Sequence, residues 1–239
     1  SSLAASFRER GAATTILTAR WQPDWPATIE HHGVRVERLP HPTQRWIGTW
    51  RYMRALERRL QAGSQDYDLV YVSMLKHDAY AALGAARRAH CPVVLRAEGA
   101  GATGDVHWQL EANFGRQIKR RTMHAAAFVA PSPAIERELI AAGFPRDRIH
   151  FIPNGVPIPP VRDPEAREEI RSWLARSQPA LYVHPGARLA VYTGRLHEAK
   201  GLAHLVEAWQ AIVREEPTAK LWLVGEGPER PKLVSLIRE

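Results

Sequence analysis

Cysteine is almost absent from this sequence. Cys91 stands alone among 239 residues, so no disulfide can close within the chain, and a reducing compartment fits best. No run of 18 or more apolar residues occurs, which excludes a hydrophobic spanning helix. The amino end, Ser1 to Arg10, has neither the basic start nor the long apolar centre of a secretory signal. A cytoplasmic setting is therefore expected. Metal-ligand spacing is missing too: His31 and His32 are adjacent, and His197 and His204 lie too far apart for an i, i+4 pair, so no protein-bound metal is expected. Repeats of fixed period and low-complexity tracts are lacking. Acidic residues are in deficit, 25 against 33 Lys and Arg, for a net charge of +8. That surplus favours anionic partners without choosing among phosphorylated small molecules, acidic lipid and nucleic acid.

What is present is a core-forming composition, with 45% hydrophobic and 24% charged residues. A helix is expected over Ser1–Ala12, with Gly11 suited to its C-terminal cap. Strands follow at Thr14–Thr18 and Val34–Leu39, and Trp21–His32 between them reads as a loop. Helix Arg45–Gln61, strand Asp68–Met74, helix His77–Arg88 and strand Cys91–Leu95 come next. The glycine-rich turn Glu98–Asp105 leads into a long helix ending near His124. Strand Ala126–Ala130, helix Pro133–Ala142 and strand Ile149–Ile152 complete the run, with Ser132 as N-cap before Pro133. Alternating strands and helices predict α/β architecture with parallel sheets. Four prolines between Pro153 and Pro160 mark a boundary, giving domains 1–158 and 159–239. Beyond it, helix Pro164–Arg176, strand Leu189–Thr193, a helix with Leu202, Leu205, Val206, Trp209, Ile212 and Val213 on one face, and strand Lys220–Val224 form one βαβ unit, too little for a complete domain.

The most informative segment runs from Val191 to Leu202. It leaves a strand through Gly194 and Arg195 and enters a helix past Lys200 and Gly201. Ligands of open α/β sheets bind at that edge, and a helix start offers N–H groups and a positive dipole end to phosphate. Arg195 supplies a planar fork of donors and Lys200 a mobile point charge. An ordinary βα turn with two solvated cations is the alternative.

Gly194-Arg-Leu-His-Glu-Ala-Lys200-Gly201 resembles the donor-phosphate motif of the retaining glycosyltransferase family four, the glycosyl transferases group 1, which have the GT-B fold. The segments Val129–Pro133, Arg148–Val156 and Leu221–Pro228 resemble the same family, and the likeness is strongest from Phe128 to Pro228. It implies two Rossmann-like domains with a cleft between them, a UDP-, GDP- or ADP-linked sugar as donor substrate, and transfer with retention to a glycan or lipid-linked acceptor in cell-envelope, exopolysaccharide or glycolipid synthesis. Members of the family use no paired nucleophile and base; the leaving diphosphate helps to activate the acceptor. The fold also houses sugar-nucleotide epimerases, but the Arg195–Lys200 motif speaks for transfer. Family members normally begin with a strand and glycine loop, and carry a pair of glutamates further along the second domain. Neither is matched here, so the chain reads as truncated at both ends and inactive by itself.

The resemblance also places a histidine of many members near position 98, where this sequence has Glu98. Its carboxylate can take a hydrogen bond or proton from an acceptor hydroxyl, or simply bond to loop N–H groups. Asp105, ending the same loop, reads as a helix N-cap, and His77 and Asp78 either cap a helix or touch the acceptor. Gly99, Gly101 and Gly104 match the G-x-G-x-x-G pattern, which keeps open an NADP-binding oxidoreductase. The context is unsuited, since the loop does not open the first βαβ unit and Lys119-Arg-Arg stands where an acidic ribose ligand is expected. The loop is taken to line the acceptor side. Along Arg45–Gln61, Trp46, Trp50, Met53, Leu56 and Leu60 form a stripe, with Arg45, Arg51, Arg54, Arg58 and Arg59 around it. The stripe either packs on the sheet or lies in a bilayer interface, so a peripheral membrane contact and a non-catalytic basic module stay open. No nucleic-acid-binding motif is present.

Overall fold

The computed structural model describes residues 2–40, 45–156, 158, 160–161 and 163–238, without the side chains of Ser2, Arg45 and Trp46. The chain divides into two compact units, Ser1–Val156 and Pro157–Glu239.

The first unit opens with α1 (Ser2–Glu9), β1 (Thr15–Arg20), β2 (Thr28–His31) and β3 (Val34–Pro40). These strands form one sheet in the order β1-β3-β2, with β1 parallel and β2 antiparallel to β3. The expected loop over 21–32 thus contains a strand. Its hairpin turns through His32 and Gly33 alone, both at positive φ, the backbone of a two-residue primed turn. His-Gly is an uncommon pair there, so the sequence carried no strong hairpin signal.

Helix α2 (Arg45–Ala62) follows, then β4 (Val70–Ser73), α3 (His77–Ala89), β5 (Val93–Arg96), α4 (Asp105–Glu111), α5 (Gly115–Thr122), β6 (Ala127–Ala130), α6 (Pro133–Ala141) and β7 (Ile149–Phe151). Strands β4 to β7 make a fully parallel sheet in chain order. Its core holds Leu75, Leu95, Ile118, Leu139 and Phe128, with Phe144 edge-on to Phe128 at 5.1 Å. The single long helix expected after the glycine loop is two short ones. At Gly115 the chain presses on itself so closely that a β-carbon would lie 2.1 Å from the Gln109 carbonyl oxygen. The α2 stripe is also shifted. Tyr52, Leu56 and Leu60 are buried, whereas Trp50 is 54% exposed with the Arg54 guanidinium 4.9 Å from its ring. The side chains of Arg45 and Trp46 lie outside the described residues.

The second unit contains α7 (Pro164–Ser177), β8 (Leu189–Thr193), α8 (Leu202–Glu215), β9 (Lys220–Val224) and α9 (Arg230–Arg238). Strands β8 and β9 pair in parallel. Leu196, Leu202, Val206 and Leu233 form its small core. Ile212 and Val213, from the apolar face expected on α8, are exposed.

Candidate functional site

In the second unit the loop after β8 is locked against the loop after β9 by backbone contact. Gly194 N–H donates to the Val224 carbonyl at 3.0 Å, and Leu196 N–H donates to the Glu226 carbonyl at 3.0 Å. Glu229 N–H returns a bond of 3.0 Å to the Leu196 carbonyl. Glycines permit this approach: a β-carbon on Gly227 would lie 2.2 Å from the Leu196 oxygen. The Tyr192 hydroxyl adds a 3.0 Å bond to the Arg195 carbonyl. From Gly194 the chain passes through a 3-10 turn, Glu198–Lys200, whose start is capped by His197 Nδ1 accepting from Ala199 N–H at 3.2 Å. Gly201, at φ +65, is the N-cap of α8, and as glycine it enters this left-handed region without the Cβ penalty.

This frame holds Arg195 and Lys200 outward. Both are exposed, and among the described residues neither makes an ion pair or side-chain hydrogen bond. The first turn of α8 adds N–H groups that have no intrahelical acceptor and the positive end of a 14-residue helix. Two unpaired cations beside such a helix start can hold a dianionic or diphosphate group.

In the first unit, β4 to β7 run the same way, so the segments that follow them emerge at one edge. Glu98 lies there beyond β5. Its carboxylate pairs with the Arg96 guanidinium, not with loop N–H groups. The second arm of Arg96 reaches across β6 to Asn154 Oδ1, 2.5 Å away, beyond β7. Arg96 thereby fixes a carboxylate and an amide at the carboxyl edge of the sheet.

Asp105 is not an N-cap. Gly104 occupies that position, and Asp105, 2% exposed, is the first residue of α4. Its two oxygens accept from Leu75 N–H at 3.0 Å and Glu98 N–H at 2.7 Å. Gln109, one turn on, donates to the Leu75 carbonyl at 2.7 Å. Both backbone groups of Leu75 are thus held by α4. The preceding Met74 sits at φ +72, a conformation costing a non-glycine residue on the order of 1–3 kcal/mol that persists only where neighbours over-determine it.

Past that pinned turn, α3 begins with His77 and Asp78. Neither caps it: Lys76 is the N-cap, without a side-chain bond. His77 stacks edge-on to Trp108 at 5.1 Å, and Lys76 Nζ lies 5.3 Å from the same ring. Burial pushes the His77 imidazole below its ordinary value; Asp78 opposes that shift and Lys76 adds to it. Asp78 bonds to the buried Tyr52 hydroxyl, whose pKa is raised chiefly by burial and then by that carboxylate. Asp78 therefore serves the α2–α3 contact.

The Gly99–Gly104 loop is spoken for internally. Gly101 N–H donates to Glu138 Oε2 at 2.8 Å, and Gly104 packs so tightly that a β-carbon would meet the Gly99 oxygen at 2.8 Å. A pyrophosphate would have to displace a protein carboxylate there. Sequence reasoning missed Arg96, Asn154, Lys76 and Trp108. The signal for Asn154 was visible in Pro153-Asn-Gly-Val; the others needed the fold.

Residues 1–155 match the glycosyl transferase 4-like domain family, and residues 187–239 match the family described as glycosyl transferases group 1. Among solved structures, the HepE protein of Anabaena in complex with UDP-glucose is 17% identical, with a TM-score of 0.64, over 94% of this chain and 65% of its own. An α,α-trehalose-phosphate synthase (UDP-forming) from Burkholderia vietnamiensis is 12% identical, TM-score 0.64, over 99% and 66%. A second HepE structure, with UDP and glucose, gives 19% identity and a TM-score of 0.62 over 87% and 52%. The likeness shows the fold, two Rossmann-like α/β domains with parallel sheets as in GT-B proteins. The chain spans between 52% and 66% of these solved chains. No curated protein sequence matches it.

Proposed function

This chain belongs to the glycosyl transferase 4-like domain family, and from that premise we propose that it is part of a glycosyltransferase that moves a sugar from a nucleotide-sugar donor to an acceptor hydroxyl with retention of configuration. The observation that carries the reading is the pair Arg195 and Lys200, exposed and, among the described residues, unpaired on a backbone frame locked by glycine contacts. Arg195 holds the donor diphosphate through its fork, Lys200 adds a point charge, and Gly194 and Gly201 let the backbone approach. In transfer, the bond between the anomeric carbon and the diphosphate oxygen breaks and its electron pair passes to that oxygen. The two cations stabilise the charge that develops there, which is stronger in the transition state than in the ground state. The acceptor oxygen bonds to the anomeric carbon on the same face, and its proton passes to the departing phosphate. Glu98, held by Arg96, accepts a hydrogen bond from the acceptor, with Gly99 and His77 on the same acceptor side.

The proposal extends to a cytoplasmic enzyme of cell-envelope, exopolysaccharide or glycolipid synthesis. Among the described residues no helix is long and apolar enough to cross a membrane. Exposed Ile47 and Trp50 beside Arg51, Arg54 and Arg58 support a peripheral membrane contact through α2. Flotation with anionic liposomes tests that contact, and no binding at low salt ends it.

The test of the donor site is thermal stabilisation of the longest gene product containing this chain by UDP-, GDP- and ADP-sugars and by NADP, repeated with Arg195→Ala. A shift selective for one sugar nucleotide and lost in the variant is expected. A shift with NADP alone overturns the reading.

A further inference from the structure

The first unit carries a basic recess at the opposite edge of the β4–β7 sheet from Arg96 and Glu98. A cavity of about 760 Å³ opens where α3 and α5 end and β5 and β6 begin. Pro92, Val93 and Ala126 line it, and these residues stand at the amino-terminal starts of strands whose carboxyl ends carry the acceptor-side groups. Arg87, His90, Arg120, Arg121 and His124 also line it, and among the described residues no Asp or Glu does.

Helix ends explain part of this cluster, since arginine in a last turn complements the carbonyl end of a helix. They do not balance it. Two helix C-termini contribute about half a negative charge each, against three guanidinium groups. Among the described residues Arg87 and Arg120 make no ion pair and no side-chain hydrogen bond. Glu57, which shares Gly84 as a neighbour with Arg121, lines the adjacent groove and forms no ion pair with it. One arm of the cluster is already ordered: the Arg121 guanidinium lies 3.5 Å from the Tyr80 ring centroid, and its Nη1 donates to the Tyr80 carbonyl at 3.1 Å. His90 ends α3 at φ +54, a left-handed position that favours glycine, yet carries an imidazole to the cavity wall. A concave site with several convergent cationic donors, one of them pre-oriented, has the chemistry of an anion receptor.

We propose that this cavity binds a phosphate-bearing ligand, at a site separate from Arg195 and Lys200. Arg87 and Arg120 grip its oxygens, Arg121 forms the fixed floor, and His90 and His124 supply further N–H donors. The shared chemistry is a phosphoryl group, whether on a soluble metabolite or on a lipid headgroup. The proposal does not rest on the donor-site reading, because every residue in it belongs to the first unit.

Calorimetric titration of the 239-residue chain with inorganic pyrophosphate at low salt tests it, in an Arg195→Ala/Lys200→Ala background that removes the donor loop. Pyrophosphate binding that persists in this background, falls roughly tenfold or more on adding Arg87→Ala/Arg120→Ala, and returns in part with Arg87→Lys/Arg120→Lys supports a soluble ligand. Both arginines are exposed, so unchanged thermal unfolding of these variants separates lost binding from lost fold. Absent pyrophosphate binding with flotation on phosphatidylglycerol vesicles that depends on Arg87 and Arg120 assigns the headgroup source. Binding indifferent to these arginines, or neither binding nor flotation, overturns the site.

Discussion

Gly225 faces the carbonyl of Gly194 so closely that a β-carbon on it would lie 1.8 Å from that oxygen. The contact joins the loops after β8 and β9, so it holds the segment that presents Arg195. Gly225→Ala must push the two loops apart, and overpacking against backbone cannot be relieved by a rotamer change. We expect a loss on the order of 1–3 kcal/mol in the second unit, read by thermal unfolding, with weakened sugar-nucleotide stabilisation. Gly155→Ala, which meets nothing within 4 Å, serves as control and should change stability by less than about 0.5 kcal/mol. Equal effects of the two substitutions would remove the interlock from the account.

Asp105 does for the first unit what Gly225 does for the second. Its carboxylate accepts from Leu75 and Glu98 N–H groups that lie on two different loops. Asp105→Ala leaves the buried Leu75 N–H and the part-buried Glu98 N–H without an acceptor, for an expected loss on the order of 1–4 kcal/mol. Asp105→Asn keeps one acceptor oxygen and should cost less. Urea midpoints rank the three proteins; an alanine variant as stable as the parent would show that the turn at Met74 and Leu75 holds without α4.

How much of this was legible follows sequence distance. Most of the strand and helix order was readable because apolar runs and glycine or proline punctuation are local, whereas β2 and the break between α4 and α5 were not. Arg195 and Lys200 could be singled out together because they share one contiguous loop. The Asp105 bond to Leu75 spans 30 residues and the Arg96 bond to Asn154 spans 58, so each end looks ordinary alone. Asp105 after a glycine loop imitates an N-cap, and only its burial against the Leu75 and Glu98 backbone shows otherwise. Gly225 and Gly227 were visible as a motif, but the backbone they must clear belongs to Gly194 and Leu196 on another strand. The tryptophan stripe on α2 misled for a different reason: helical spacing gives the apolar face, not which edge of it the neighbouring α3 covers, and Trp50 falls outside.

Arg195 and Lys200 carry the same charge but are not equivalent. A guanidinium meets a diphosphate through two parallel bonds, which an ammonium cannot reproduce. Arg195→Lys should therefore weaken nucleotide-sugar binding nearly as much as Arg195→Ala, by roughly tenfold or more for one charge-assisted bond. Lys200→Arg should be tolerated. Titration of each variant with the stabilising sugar nucleotide decides; full affinity in Arg195→Lys would reduce Arg195 to a diffuse charge.

The pH response offers a reading of the β4–α3 turn. Burial lowers the pKa of His77 from an ordinary 6.5, so the folded state keeps the imidazole neutral where the unfolded chain takes up a proton. Stability from this group is full above pH 6.5 and is lost as pH falls from there through the lowered folded value. Glu37 has the same sign in a lower window: its hydrogen bond to Arg59 holds its carboxyl below an ordinary 4.5. Between pH 7.5 and about 5.5, then, the histidine acts while Glu37 stays largely charged in both states. His77→Phe keeps a ring against Trp108 and removes the titration. Its unfolding free energy should fall less over that interval than the parent's, measured by urea denaturation at each pH. Parallel curves for the two proteins would place His77 in solvent and detach it from the pinned turn.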